Sequence, residues 1–127
     1  MVVPEIETVL AWHAALNASD VDGLLALSSA DVEVGGPRGS GRGAELLRDW
    51  VARAGIRLQP GRCYRRGSAV VVDERAQWRS EGGELTEPQG AACVFGVRDG
   101  QVVRVVRYPD VAAALAAAGL DESDDAV

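Results

Sequence analysis

Among 127 residues the chain holds one imidazole, two thiols and thirteen arginines but no lysine, which bounds the chemistry its side chains could perform. The absence of an amine side chain excludes Schiff-base mechanisms. His13 is the first candidate, because imidazole exchanges protons near neutral pH and is the usual general acid or base. Its neighbours "EIETVLAWHAALN" put Ile6, Val9, Leu10 and Leu16 on one helical stripe, with His13 near the centre and Trp12 at the edge. His13 therefore faces inward, and two roles fit it. It is either an acid–base group partnered by Glu74 or a ligand, or a buried neutral imidazole bonded to a backbone carbonyl or a pocket water.

The carboxylate that could serve it lies in "VVVDERAQW". Alternation there gives an apolar row, Val70, Val72, Glu74, Ala76 and Trp78, against a polar row of Asp73, Arg75, Gln77 and Arg79. Glu74 thus points into apolar surroundings, where a carboxylate either serves structure or acts as an acid. Cys63 and Cys93 are far apart and form no C-x-x-C unit, so they read as reduced thiols of a cytoplasmic protein. One histidine and two separated cysteines make no metal set, and no cofactor is expected. The loop "GPRGSGRG" brings Arg38 and Arg42 near a helix N-terminus, as phosphate sites do, yet it lacks the Lys-Ser/Thr ending of a P-loop and follows no βαβ unit. No G-x-S-x-G elbow occurs. Trp12, Trp50 and Trp78 accompany a single Phe; they are core residues or the walls of a cavity that stacks a flat ligand.

Most of the net charge of −6 sits in Asp121, Glu122, Asp124 and Asp125, so the body of the chain is nearly neutral. A nucleic-acid binder would carry a clustered basic surplus, and none is present. Arg or Asp interrupts every apolar run before it reaches membrane-spanning length.

Positioning these groups requires helices first and strands after. Pro4, Glu5 and Glu7 suit the start of a helix running to about Ala18. Ser19 and Asp22 match a capping box for a second short helix through about Ser28. Val32 to Val34 reads as a short strand, and a third helix from Ala44 to Ala54 buries Leu46, Leu47, Trp50 and Val51, with Gly55 closing it. The period then changes to two over 56–66, 69–80, 87–98 and 101–108, with turns at "RGS", "EGGE" and "RDGQ", giving a four-strand meander. Asp110 caps a short closing helix. The fold class is α+β: three N-terminal helices over one face of a curved antiparallel sheet, in a single domain of residues 1–118, with 119–127 a disordered acidic tail. Pattern alone does not choose the inward row of the last two strands.

Three segments carry a family resemblance over about residues 5–118: "WHAALNASDVDGLLALSSADVEV", "GRGAELLRDW" and "VVRVVRYPD". They resemble nuclear transport factor 2-like proteins of the SnoaL-like and ketosteroid isomerase-like kind. The resemblance implies a cone-shaped fold enclosing a small, largely apolar or cyclic organic ligand. It places the isomerase tyrosine on Trp12, the oxyanion-hole acid on Cys93 and the catalytic base near Val34 to Gly36, so none of the three groups that the isomerase needs is kept. Epoxide hydrolases of this fold use an Arg-x-Asp pair; the nearest counterpart, Asp73-x-Arg75, is reversed and outward. The resemblance also puts Cys93, Phe95, Val105 and Arg107 on the pocket side. Arg107 and Glu74 would then share a low-dielectric interior and are expected to pair directly or across a water. The expected site is Glu74, Arg107 and His13 for chemistry, with Trp12, Leu16, Trp50, Ala76, Trp78, Cys93, Phe95 and Val105 around the ligand. The alternative is a binding or scaffold domain without catalysis. Ala92, Val94, Val106 and Tyr108 would form an outer apolar row that pairs two copies as a homodimer.

Overall fold

The protein is described from a computed structural model, which covers residues 4–36 and 39–125. Helix α1 (Pro4–Asn17) buries Val9, Trp12, His13 and Leu16; of the stripe expected from periodicity, Ile6 is half-buried and Leu10 is 42 % exposed, because the inward face is turned toward Trp12 and carries Leu10 to its solvent edge. Ser19 then takes a left-handed backbone (φ 58°), and its N–H bonds the Leu16 carbonyl. A residue that closes one helix in this way cannot also cap the next, so the cap of α2 (Val21–Ala26) moves from Ser19 to Asp20, whose Oδ1 accepts the Gly23 N–H at 3.0 Å.

Strand β1 (Ser28–Gly36) is longer than its apolar centre predicts, and it turns back on β2 (Gly39–Arg42). The glycine-rich stretch expected as a plain connection is therefore an edge strand. Its small residues carry no alternating pattern that would reveal it. Arg42 contacts Glu33 across this hairpin at 3.4 Å, while Arg38 lies outside the described residues. Helix α3 (Ala44–Ala54) follows and ends as predicted on Gly55, left-handed at φ 54°.

The meander comprises β3 (Arg57–Arg66), β4 (Ala69–Gln77), β5 (Gln89–Arg98) and β6 (Gln101–Tyr108). Asp99 and Gly100, both at positive φ, form the β5–β6 turn that the Asp-Gly signal foretold. The sheet order is β2-β1-β6-β5-β4-β3, and β1 joins β6 in parallel while the other pairs are antiparallel. Register shifts in the β1–β6, β3–β4 and β5–β6 pairs curve the sheet around α1, α2 and α3. The main core fills that concave side and includes Trp12, Leu16, Leu47, Val72, Cys93, Phe95 and Val105.

The other side of the sheet is covered too. Helix α4 (Val111–Ala118), capped by Asp110 through the Ala113 N–H at 2.8 Å, lies across β4 and β5. Ala114 and Leu115 pack there against Tyr64, Val71, Ala92 and Val94, with Tyr108 at the margin. This corrects the expected dimer surface. Ala92 (0 % exposed) and Val94 (3 % exposed) are buried by the chain's own helix, because an alanine-rich helix is thin enough to lie close on small sheet residues. Val106 and Tyr108 remain half-buried.

The acidic tail is also ordered through Asp125. Leu120 joins the outer cluster, and a 3-10 turn (Glu122–Asp124) brings Asp124 to Arg66 at 2.7 Å and Asp125 to Arg62 at 2.9 Å. Sequence composition favoured disorder because the partners of these acids are arginines some 60 positions earlier, on β3.

Candidate functional site

The concave face brings His13 and Glu74 together. His13 reaches down from α1, Glu74 rises from β4, and Nε2 meets Oε2 at 2.7 Å in a contact spanning 61 positions. Both residues are 1 % exposed. The other ring nitrogen, Nδ1, lies 2.7 Å from the Val9 carbonyl, one helical turn back. A carbonyl only accepts, so Nδ1 must carry a proton and donate it. One further proton then lies between Nε2 and Oε2. It belongs either to an imidazolium facing a carboxylate or to a carboxylic acid facing a neutral imidazole, and the pair has no net charge in either form. The contacts that the two readings of His13 required, one to Glu74 and one to a backbone carbonyl, are both present.

The second carboxylate oxygen, Glu74 Oε1, is buried with no nitrogen or oxygen donor bonded to it, and the Cys93 thiol of the adjacent strand is the other group that hydrogen-bonds to this carboxyl. A thiol is a weak donor, so the buried acceptor is poorly satisfied, as buried polar atoms with a catalytic role or an ordered water can be.

Arg107 makes no direct ion pair with Glu74, which corrects the direct form of that expectation. Its Cα is opposite Cys93, whereas Glu74 is opposite Ala91, two residues along β5, and β5 lies between their strands. The guanidinium leans toward Trp78 instead, with Cζ 5.1 Å from the ring centroid, a cation–π distance. Trp78 and Trp50 are half-buried against the main core. Trp12 is wholly buried, edge-on to Phe95 (5.3 Å) and to His13 (5.8 Å). Leu16, Ala76, Cys93, Phe95 and Val105 are buried in the same cluster. The predicted set therefore divides into an inner group around His13, Glu74, Trp12, Phe95 and Cys93, and an outer pair, Arg107 with Trp78.

Sequence reasoning missed the groups that hold α1 in place. Trp12 Nε1 donates to Ser28 Oγ at 3.1 Å, and Ser28 Oγ donates onward to the Leu24 carbonyl at 2.8 Å. Asn17 clamps the end of α1 to β3, giving its amide to the Leu58 carbonyl (2.9 Å) and accepting the Leu58 N–H (3.0 Å). A polar residue ending an apolar helix was the available signal.

Cys63 and Cys93 flank Val72 on either side, so their strands are two apart and their Cα atoms are separated by roughly 10 Å. That exceeds the span of a disulfide, and both are free thiols. Burial, and then the Glu74 charge, pushes the Cys93 thiol well up, with Arg107 pulling weakly the other way. Cys63 is raised by burial, Glu74 and Asp125. In the folded chain both stay protonated at pH values where the unfolded chain ionises its thiols. Stability is thus fully kept below the ordinary thiol range and falls as pH rises through it. Urea midpoints compared at about pH 8 and about pH 10 should show this fall, and replacing both cysteines by alanine should reduce it. An unchanged slope would refute it.

Among the described residues no helix is long and apolar enough to cross a membrane, and no group of three His, Cys, Asp or Glu could hold a metal ion. Solved structures share this architecture. TerC, co-crystallised with polyporic acid, superposes with a TM-score of 0.74 at 26% identity, covering 87% of this chain and 95% of its own. A hypothetical protein with a ketosteroid isomerase-like fold from Catenulispora acidiphila, in complex with trimethylamine, gives 0.70 at 23%, covering 91% and 94%. A putative polyketide cyclase from Xanthomonas campestris gives 0.69 at 22%, covering 89% and 95%. No curated protein matches the sequence. The SnoaL-like domain family matches residues 9–105, a span that holds His13, Glu74, Trp78 and Cys93, and the chain belongs to that family.

Proposed function

We propose that the chain binds a small, largely apolar organic molecule against the concave face of the sheet and performs acid–base chemistry on it through Glu74. The observation that carries this reading is Glu74 Oε1, a buried acceptor with no nitrogen or oxygen donor, on a carboxyl group whose other oxygen is held by His13 and whose remaining neighbour is the weakly donating Cys93 thiol. Oε1 would take a proton from an acidic C–H or O–H of the ligand and return it to another atom of the same molecule. This gives an isomerisation or cyclisation with no net consumption of protons. His13 positions the carboxyl, since its own ring is fixed by the Val9 carbonyl. Two buried free thiols suit a reducing, cytoplasmic setting. TerC, with its polyporic acid, supports a cyclic ligand.

A second reading, binding without catalysis, is favoured by Trp12, Cys93 and Val34 to Gly36, which stand where isomerases of this fold carry their reacting groups. One experiment separates the two. α-Tetralone, a flat ketone with an enolisable carbon, should exchange hydrogen for solvent deuterium faster with the protein than without it. Glu74→Gln, which keeps the shape and removes the base, should lower that acceleration by about 100-fold or more. Acceleration that is absent, or equal in the variant, would leave binding alone.

A further inference from the structure

We propose that the ligand is a planar aromatic anion, and that Arg107 binds its acidic group while Trp78 backs the guanidinium. This rests on the reading that the concave face receives a small molecule, and it names the class of that molecule.

The charges of the concave face point to an anion. His13 and Glu74 share a proton and carry no net charge between them. Cys63 and Cys93 are neutral thiols, kept so by burial and by Glu74. Arg65, opposite Val70 and so on the same face, is paired with Glu5 of α1 at 3.3 Å. Arg107 is different. It is half-buried, and no carboxylate among the described residues is at ion-pair distance from it. It is held only by the Trp78 ring.

The ring contact, 5.1 Å from Cζ, offers no oxygen acceptor to the N–H edge of the guanidinium. That edge suits a carboxylate or enolate, which it can bind with two parallel hydrogen bonds. Gly36, the neighbour of Arg107 on β1, keeps the approach open: a Cβ built there would meet only the Arg107 Cβ, at 4.0 Å. Cys93 stands opposite Arg107, and Glu74 lies on the same concave face across β5, offset by two residues. An acid group on Arg107 would thus leave the rest of a flat ring system to extend toward Glu74. Two half-buried indoles, Trp78 and Trp50, pack against the same core and favour aromatic over aliphatic bodies.

The test compares 2-naphthoate with its neutral amide, 2-naphthamide, by tryptophan fluorescence and calorimetry. Wild type should bind the anion roughly 10- to 100-fold tighter than the amide. Arg107→Gln should abolish that preference by weakening 2-naphthoate far more than 2-naphthamide, and a far-ultraviolet circular dichroism spectrum like that of the wild type shows that the variant is folded. Arg107→Lys should recover part of the preference. Equal binding of the two probes by wild type, or a preference that survives Arg107→Gln, overturns the Arg107 assignment and leaves the ligand-binding reading intact. Failure of wild type to bind either probe at millimolar concentration counts against both.

Discussion

Replacing His13 by alanine should destabilise the folded chain by about 3–5 kcal/mol, because it strands Glu74 in the interior without its partner. Glu74 is 1 % exposed, and one of its two oxygens already has no nitrogen or oxygen donor. The variant therefore leaves a buried carboxyl group with only the weak Cys93 thiol donor to compensate it. Replacing both residues by leucine should cost far less, because a buried pair exchanged for apolar residues of similar size is often neutral or even stabilising. Urea denaturation measures the loss in His13→Ala, and the same measurement on the wild type, His13→Leu, Glu74→Leu and the double leucine variant gives the coupling energy of the pair. Strict additivity of the single effects would mean that the 2.7 Å contact contributes nothing. The double leucine variant should fold and yet lose the exchange activity, which separates what the pair does for stability from what it does for chemistry.

Trp12→Ala should cost a similar amount, about 3–5 kcal/mol, for a different reason. The indole is 0 % exposed, packs edge-on against Phe95 and His13, and donates to Ser28 Oγ. Alanine leaves a cavity at the point where α1 meets the sheet. Trp12→Phe keeps most of the ring and forfeits the N–H, so it should cost only about 1–2 kcal/mol. Denaturant midpoints of the two variants give this order. The opposite outcome, an unaltered midpoint for Trp12→Ala with weakened ligand affinity, would make Trp12 a wall of the binding site and not part of the core.

Local pattern made the individual groups legible and left their meetings obscure. Helical periodicity turned His13 inward, and strand alternation did the same for Glu74; both assignments hold because each needs only the geometry of one element. Their contact depends on how α1 crosses the sheet, which the Asn17 clamp and the Trp12–Ser28 bond fix over long range. A shared face and opposite charge suggested the pairing of Glu74 with Arg107, and no direct pair forms because they are offset by two residues across the intervening β5, while an imidazole and an indole offer each a nearer partner. The closing helix announced itself through Asp110 at its start and Gly119 at its end. Its seat on Ala92 and Val94 did not, since "VAAALAAA" is apolar all round and names no preferred face. Strand β2 stayed hidden for the complementary reason: glycine and serine give no alternation to read.

The tautomer and proton position of His13 test the account most directly. As the chain has a single histidine, its ring gives one set of nitrogen signals, and long-range proton–nitrogen correlation spectra can assign each nitrogen without ambiguity. A proton that stays on Nδ1 throughout, shielded from solvent exchange, with Nε2 altered by Glu74→Gln, is the predicted result. A neutral ring protonated at Nε2 with a bare Nδ1, or an imidazole indifferent to Glu74→Gln, would contradict the shared-proton pair on which the proposed chemistry depends.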